Sequence, residues 1–234
     1  MRMDRMTSDE FKEAVKKDPI AILVLGATEA HGSHLTLNAD TVQPEFIADS
    51  IDRMIENILI VPPLNFALHS TTKNLPGTVN LTFDTLRAVI YDMLTSLFSQ
   101  GIGKFVVMTG HAGGGHMTAV SEACKKMVSE TKAQVMFFAD CDIGEHAPEM
   151  NGIRDGHGGL AETARMLAIC PGDVRSFRPV GKYAGKGCMI LEDASVSFPS
   201  GMVGDTTKAT PELGKKINDY IIGRVIEMIK NDFE

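Results

Sequence analysis

Four short apolar runs, at residues 21–26, 59–64, 104–109 and 133–139, alternate with stretches of helical character, and this alternation constrains the fold more than any other feature of the chain. Phe46, Ile47, Ile51, Met54 and Ile55 recur at helical spacing over 40–58. Leu86, Ile90, Met93, Leu94, Leu97 and Phe98 do the same over 83–100, where Gly101 stops the pattern. Further helices are expected over 8–17, capped by Thr7 or Ser8 and closed before Pro19, and over 117–130, 160–169 and 211–230. Alternation of this kind predicts an α/β fold with a mainly parallel sheet and helices on both faces. Residues 65–80 read as an irregular loop ending in a turn at Leu75-Pro76-Gly77-Thr78, residues 174–187 as loop, and 189–198 as an edge strand or hairpin.

A chain of 234 residues suits one domain spanning 1–234, long enough to bury a sizeable core. The formal net charge of −7, without any cluster of lysines and arginines, argues against a nucleic-acid or anionic-membrane surface and favours a small-molecule or protein partner. No apolar run approaches the ~18 residues that would suggest a membrane span, so a soluble cytoplasmic protein is expected. Cys124, Cys141, Cys170 and Cys188 are widely spaced, with no CxxC pair, and are expected to be ordinary thiols outside any disulfide or thiolate metal site. The fourteen methionines read as flexible core fillers.

Ligands of open parallel sheets bind beyond the carboxyl ends of the strands, and the polar residues here gather at those places. Glu29 and His31 follow the first run, two apart and so on one face if the strand reaches them, and Asp40 returns from beyond a turn. His111 follows the third run, Asp140 and Asp142 follow the fourth, and Glu162 lies in the first turn of a helix. Glu29, His31, Asp40, His111 and Glu162 together supply two imidazoles and three carboxylates, enough for two divalent ions if one carboxylate bridges. Nitrogen and oxygen donors without thiolate suit zinc, manganese or iron better than calcium. Two such ions would activate a water and polarise a carbonyl, which is what hydrolysis of an amide at neutral pH requires.

The glycines from Gly110 to Gly115 also invite a phosphate-cradle reading, but no Gly-Lys-Ser/Thr ending or dinucleotide spacing follows, and a tight turn that brings His111 to its target is the simpler account. His34 is expected to tighten its loop or to donate to a ligand carboxylate. His116 would cap its helix or line the pocket, and His146 lies with Glu145 in a loop. His69 and Ser70 could face substrate or belong to a surface loop. Asp140 and Asp142 could orient a ligand histidine or be solvated.

Glu29-Ala30-His31-Gly32-Ser33-His34-Leu35 with Asp40 resembles the ExHGxHL…D signature of the creatininase family of creatinine amidohydrolase-like enzymes. Leu75-Pro76-Gly77-Thr78 is similar to its PGT turn, Gly110-His111-Ala112-Gly113 to its GHGG loop, and His157-Gly158-Gly159-Leu160-Ala161-Glu162-Thr163 to its HAGxxET segment. Gly201 to Asp205 with Ala209-Thr210 resembles its C-terminal G-x-x-GD…AT stretch. The resemblance implies a three-layer α/β/α fold, a binuclear metal centre and hydrolysis of a carbon–nitrogen bond in a non-peptide amide. Carried over, Glu29 and His111 would hold one ion, His31 and Glu162 the other, with Asp40 bridging, and His157 would carry the proton from water to the leaving nitrogen. A homo-oligomer, hexameric in the family, is likewise implied.

The chain departs from the family pattern at Gly114 and Thr109, where asparagine is usual, at Leu160, where glutamate is usual, and in having no tryptophan. The aromatic packing that creatininases use over creatinine is therefore missing, and the expected substrate is another small cyclic amide or formamide, pterin- or pyrimidine-derived compounds being in range. Two alternatives stand beside it: a peptidase that trims a modified precursor peptide, as in another branch of the family, and a metal- or ligand-sensing protein without turnover.

Overall fold

The computed structural model describes residues 1–185 and 189–233, so Cys188 lies outside the described residues. The elements run α1 (Ser8–Val15), β1 (Ile20–Leu25), α2 (Ala39–Asp52), β2 (Ile58–Leu64), α3 (Phe83–Ser99), β3 (Lys104–Thr109), α4 (Gly114–Glu130), β4 (Gln134–Ala139), α5 (Asp140–Gly144), α6 (Leu160–Ile169), β5 (Val180–Gly181), β6 (Gly204–Asp205) and α7 (Pro211–Phe233). Thr7 opens α1 with the reciprocal cap expected of a Thr-x-x-Glu start: its hydroxyl accepts from the Glu10 amide while the Glu10 carboxylate accepts from the Thr7 amide.

Strands β1 to β4 form one parallel sheet in the order β2-β1-β3-β4, with Ile20 opposite both Ile58 and Lys104 and Lys104 opposite Gln134. Successive side chains of a strand point to opposite faces, and here both faces are covered. Leu23, Leu25, Phe105 and Val107 pack with Leu86, Ile90 and Leu94 of α3 and Ala119, Val120 and Ala123 of α4. Ile22, Val24, Val106 and Met108 pack with Ile47 and Ile51 of α2 and Ile217, Ile221 and Val225 of α7. The result is the three-layer α/β/α arrangement. After β1 the chain adds β2 on one side and β3 on the other, so the order reverses between β1 and β3, and a crevice opens beyond their carboxyl ends.

Three local expectations are corrected. First, β1 stops at Leu25, so Glu29 and His31 stand in the loop beyond it and do not share a strand face. Second, residues 189–198 form no strand among those described. Asp193 instead accepts from the Ser195 amide at 2.9 Å and starts a 3-10 turn over Ala194–Ser197, a local hydrogen bond that competes with sheet pairing. A two-residue antiparallel ribbon, β5 with β6, stands nearby. Third, Asp140 begins the short helix α5, a turn that no periodicity announced. Cys124, Cys141 and Cys170 are free thiols.

Candidate metal centre

Two glycines let α2 descend onto the strand ends. A Cβ at Gly26, just after β1, would lie 2.0 Å from the Thr41 hydroxyl oxygen, and one at Gly110, just after β3, would lie 2.1 Å from the Asp40 carbonyl oxygen. Only hydrogen fits at either place, and the first turn of α2 therefore carries Asp40 into the crevice. The loop after β1 is pinned from both sides: the Glu29 amide donates to the Leu37 carbonyl at 2.9 Å, and the Ala30 amide donates to the Thr78 hydroxyl at 3.1 Å. The Pro-Gly-Thr turn thus serves the site by holding Glu29 in position.

The imidazoles of His31 and His111 each have their tautomer set by a backbone carbonyl. His31 Nδ1 donates to the Glu29 carbonyl at 3.1 Å, leaving Nε2 to face Asp40 Oδ1 at 2.9 Å and Glu162 Oε2 at 3.4 Å. His111 Nε2 donates to the Leu68 carbonyl at 3.2 Å, leaving Nδ1 to face Glu29 Oε2 at 2.7 Å and Asp40 Oδ2 at 3.5 Å. Fixing the far nitrogen in this way offers the near lone pair to a ligand. Asp40 accordingly turns one oxygen towards each imidazole. His31 Nε2, Asp40 Oδ2 and Glu29 Oε2 are buried and, despite these short approaches, none has a hydrogen-bond partner among the described residues.

Donor atoms that crowd to about 3 Å without hydrogen-bond geometry behave as ligands of a shared ion: at 2.0–2.2 Å from a metal, neighbouring ligand atoms stand about 2.9–3.5 Å apart. The residues present therefore fit a site for divalent ions, with groups formed by His31, Asp40 and Glu162, by Glu29, His69 and His111, and by Glu29, His31 and His157.

The electrostatics follow from the same crowding. Burial works against charge on His111, but Glu29 and Asp40 overcome it and push the imidazole up to about 10; Asp40, Glu162 and Glu29 likewise hold His31 well above its ordinary value. Burial would raise Glu29, yet His111, and after it His157, hold it well below the usual carboxylate range. Burial pushes Glu162 up to about 7, although His31 pulls the other way. His157 is pushed down to about 4 by burial and by His31, whose ring centroid lies 4.1 Å away, so it is neutral at pH 7. Its Nε2 donates to the Ala30 carbonyl at 2.7 Å, which leaves Nδ1 as the free base.

Glu29, Asp40, His111, His157 and Glu162 all line one cavity of about 270 Å³, while His31 lies wholly buried at its edge. Helix α6 is set against it by Asp155, whose carboxylate accepts from the Leu160 and Ala161 amides at 2.7 Å each. Phe198 lines the cavity and meets the His157 ring edge-on at 6.0 Å, so the segment read as an edge strand supplies the site's aromatic wall.

The remaining polar residues divide between the alternatives their sequence left open and arrangements it did not indicate. His34 Nε2 bonds the Thr163 hydroxyl at 2.8 Å and ties the loop to α6, with no carboxylate involved. His116 is buried behind the site, bonded to the Thr109 hydroxyl at 3.0 Å, which in turn accepts from the His111 amide at 3.1 Å. Asp140 orients no histidine: it is 0% exposed and pairs with Arg165, itself 2% exposed, whose Nε donates to Asn218 Oδ1 at 2.9 Å. Arg165 lines the cavity and was not singled out in the sequence, although it sits three residues after Glu162 on one face of α6. His69, left between substrate and surface, is buried beside Glu29.

The family model for creatininase, described as creatinine amidohydrolase, matches residues 4–229. A creatinine amidohydrolase of Pseudomonas putida is 26% identical over 250 residues, which cover 97% of this chain and 95% of that protein. A mycofactocin precursor peptide peptidase of Mycolicibacterium smegmatis is 25% identical over 222 residues, covering 91% of this chain and 85% of that one. Among solved structures, a manganese creatininase superposes with a TM-score of 0.90 at 21% identity and a zinc–zinc creatininase variant with 0.91 at 21%, each covering 99% of this chain and 98% of the other. Fold, site and comparisons together define a metal-dependent hydrolase of carbon–nitrogen bonds. The chain belongs to the creatininase family.

Proposed function

We propose that the protein hydrolyses a carbon–nitrogen bond in a small cyclic amide or formamide, using two divalent ions drawn from zinc, manganese and iron. Glu29 Oε2 and His111 Nδ1 would hold one ion, His31 Nε2 and Glu162 the other, with Asp40 giving one oxygen to each. When bound, such ions supply an activated water and polarise the substrate carbonyl. His157 would take a proton from the attacking water and return it to the leaving nitrogen, its ring held in place by the bond from Nε2 to the Ala30 carbonyl. A neutral imidazole is needed for the first transfer, and burial keeps it neutral.

The observation that carries the small-substrate reading is the cavity. At about 270 Å³ it lies below the roughly 300–1,000 Å³ typical of drug-sized pockets, and Phe198 gives its wall an apolar aromatic side chain. The same reading takes residues 1–234 as one catalytic unit in a cytoplasmic homo-oligomer, hexameric by the family resemblance. Exposed apolar side chains at Phe177, Val180, Tyr183, Ile190 and Val196 support such assembly.

The test is a turnover screen of metal-loaded protein against small cyclic amides, formamides and modified precursor peptides. Release of amine or acid from the small compounds, abolished by chelator and restored by ion, is expected. Cleavage of the peptides alone would establish the peptidase reading, and tight ligand binding without turnover of any substrate the sensor reading.

A further inference from the structure

We infer that His69 is a third protein ligand of the ion held by Glu29 and His111, so that the two metal positions are unequal by construction. The inference rests on the two-ion reading above and adds to it a donor that none of the motifs contains.

His69 is 1% exposed, and neither ring nitrogen has a hydrogen-bond partner among the described residues. A buried imidazole with both nitrogens idle is costly, and it persists where something else satisfies one of them. Its Nδ1 stands 3.4 Å from Glu29 Oε1. That is not a hydrogen bond, and the same oxygen already accepts from the Thr72 hydroxyl. The approach turns His69 towards the same carboxylate whose other oxygen, Oε2, faces His111 at 2.7 Å. The rings of His69 and His111 lie with centroids 4.6 Å apart and are tilted by 57°, and donor atoms of Glu29, His69 and His111 all fall within 4.8 Å of one another.

The backbone holds His69 in this place. Its amide donates to Asn80 Oδ1 at 2.6 Å, and the Leu81 amide donates to the Ala67 carbonyl at 2.8 Å. The carbonyl of the preceding residue, Leu68, is the one that fixes the His111 tautomer. One loop thus positions both imidazoles.

The consequence is a division of labour. Glu29, His69, His111 and Asp40 offer four protein donors, the closed set typical of a tightly held ion. His31, Asp40 and Glu162 offer three, and an ion there would keep room for water or substrate, as sites that must admit them do.

Zinc titration of the metal-stripped full-length chain, followed by calorimetry and elemental analysis, tests this without recourse to activity. Two binding classes of unequal affinity are expected, and His69→Ala is expected to weaken the tighter one by more than about 100-fold, beyond the 10–100-fold typical when a partner outside the coordination sphere is lost. The weaker class should stay within a few-fold. A smaller loss in the tighter class overturns the inference, since His69 would then act only through Glu29. X-ray absorption of unsubstituted protein carrying one equivalent of zinc decides the matter even if the variant misfolds: two imidazoles on that ion support His69, one overturns it. Two ions bound with His69 uninvolved would leave the hydrolase reading standing, whereas a chain that takes up no ion would sink both.

Discussion

Replacing Asp140 by alanine is expected to destabilise the fold by about 3–5 kcal/mol, the cost of leaving one member of a buried ion pair without its partner. The structure puts this substitution at the upper end of point-mutant effects for a definite reason. Arg165 is 2% exposed and its guanidinium has only Asp140 and Asn218 as partners among the described residues, so removing the carboxylate strands a positive charge between α5, α6 and α7. For a chain of this size, about 2–4 °C per kcal/mol converts the loss to a fall in Tm of roughly 6–20 °C. The assay is urea unfolding followed by circular dichroism at fixed ion content, since bound ions add stabilisation of their own, with the midpoint falling and the slope unchanged. Removing both charges together, Asp140→Leu with Arg165→Met, should recover most of the loss, because an apolar pair carries no desolvation cost. A single variant within about 1 kcal/mol of the parent, or a double variant no better than the single, would refute the reasoning.

Ion uptake should release protons. With His111 pushed up to about 10 and His31 also raised, both rings are protonated at pH 7 in the metal-free chain, and an ion must displace those protons from Nδ1 and Nε2. Apparent affinity therefore rises with pH and falls as pH drops; with Glu162 also pushed up to about 7, calorimetry in buffers of different ionisation heat should count about two to three protons released at pH 7, and none would contradict the raised values. Gly110→Ala should lower ion content and stability by about 2 kcal/mol or more, because its Cβ would sit 2.1 Å from the Asp40 carbonyl oxygen, whereas Gly114→Ala meets nothing within 4 Å and should bind ions as the parent does. His157→Gln should cut kcat by roughly 10²–10⁴ with ion content intact, and loss of ions in that variant would recast His157 as a ligand.

The sheet and its helices were legible because the signals were redundant. Strand β3 and helix α6 fall on the residues that apolar pattern and start signals marked, and each buried strand is apolar on both faces as a covered parallel sheet requires. That Glu29, His31, Asp40, His111 and Glu162 come together was legible for a different reason: they follow strands or open helices, and topology brings such places to one edge. What stayed hidden depends on distance in the chain. The partner of Asp140 lies 25 residues away in α6, and the neighbour of His69 is Glu29, 40 positions earlier; no periodicity links either pair. Phe198 was misread because Val196 and Phe198 alternate as in a strand, while Asp193 and Ser195 form a local turn that outcompetes pairing.

The most direct measurement is metal content per chain by elemental analysis of protein purified without chelator, beside the Asp40→Ala variant. About two ions per chain in the parent, both lost or weakened once the carboxylate that faces both imidazoles is gone, is the predicted result. A folded parent that holds no metal and takes up no zinc, manganese or iron, or a variant that keeps both ions at parental affinity, would contradict the two-ion centre.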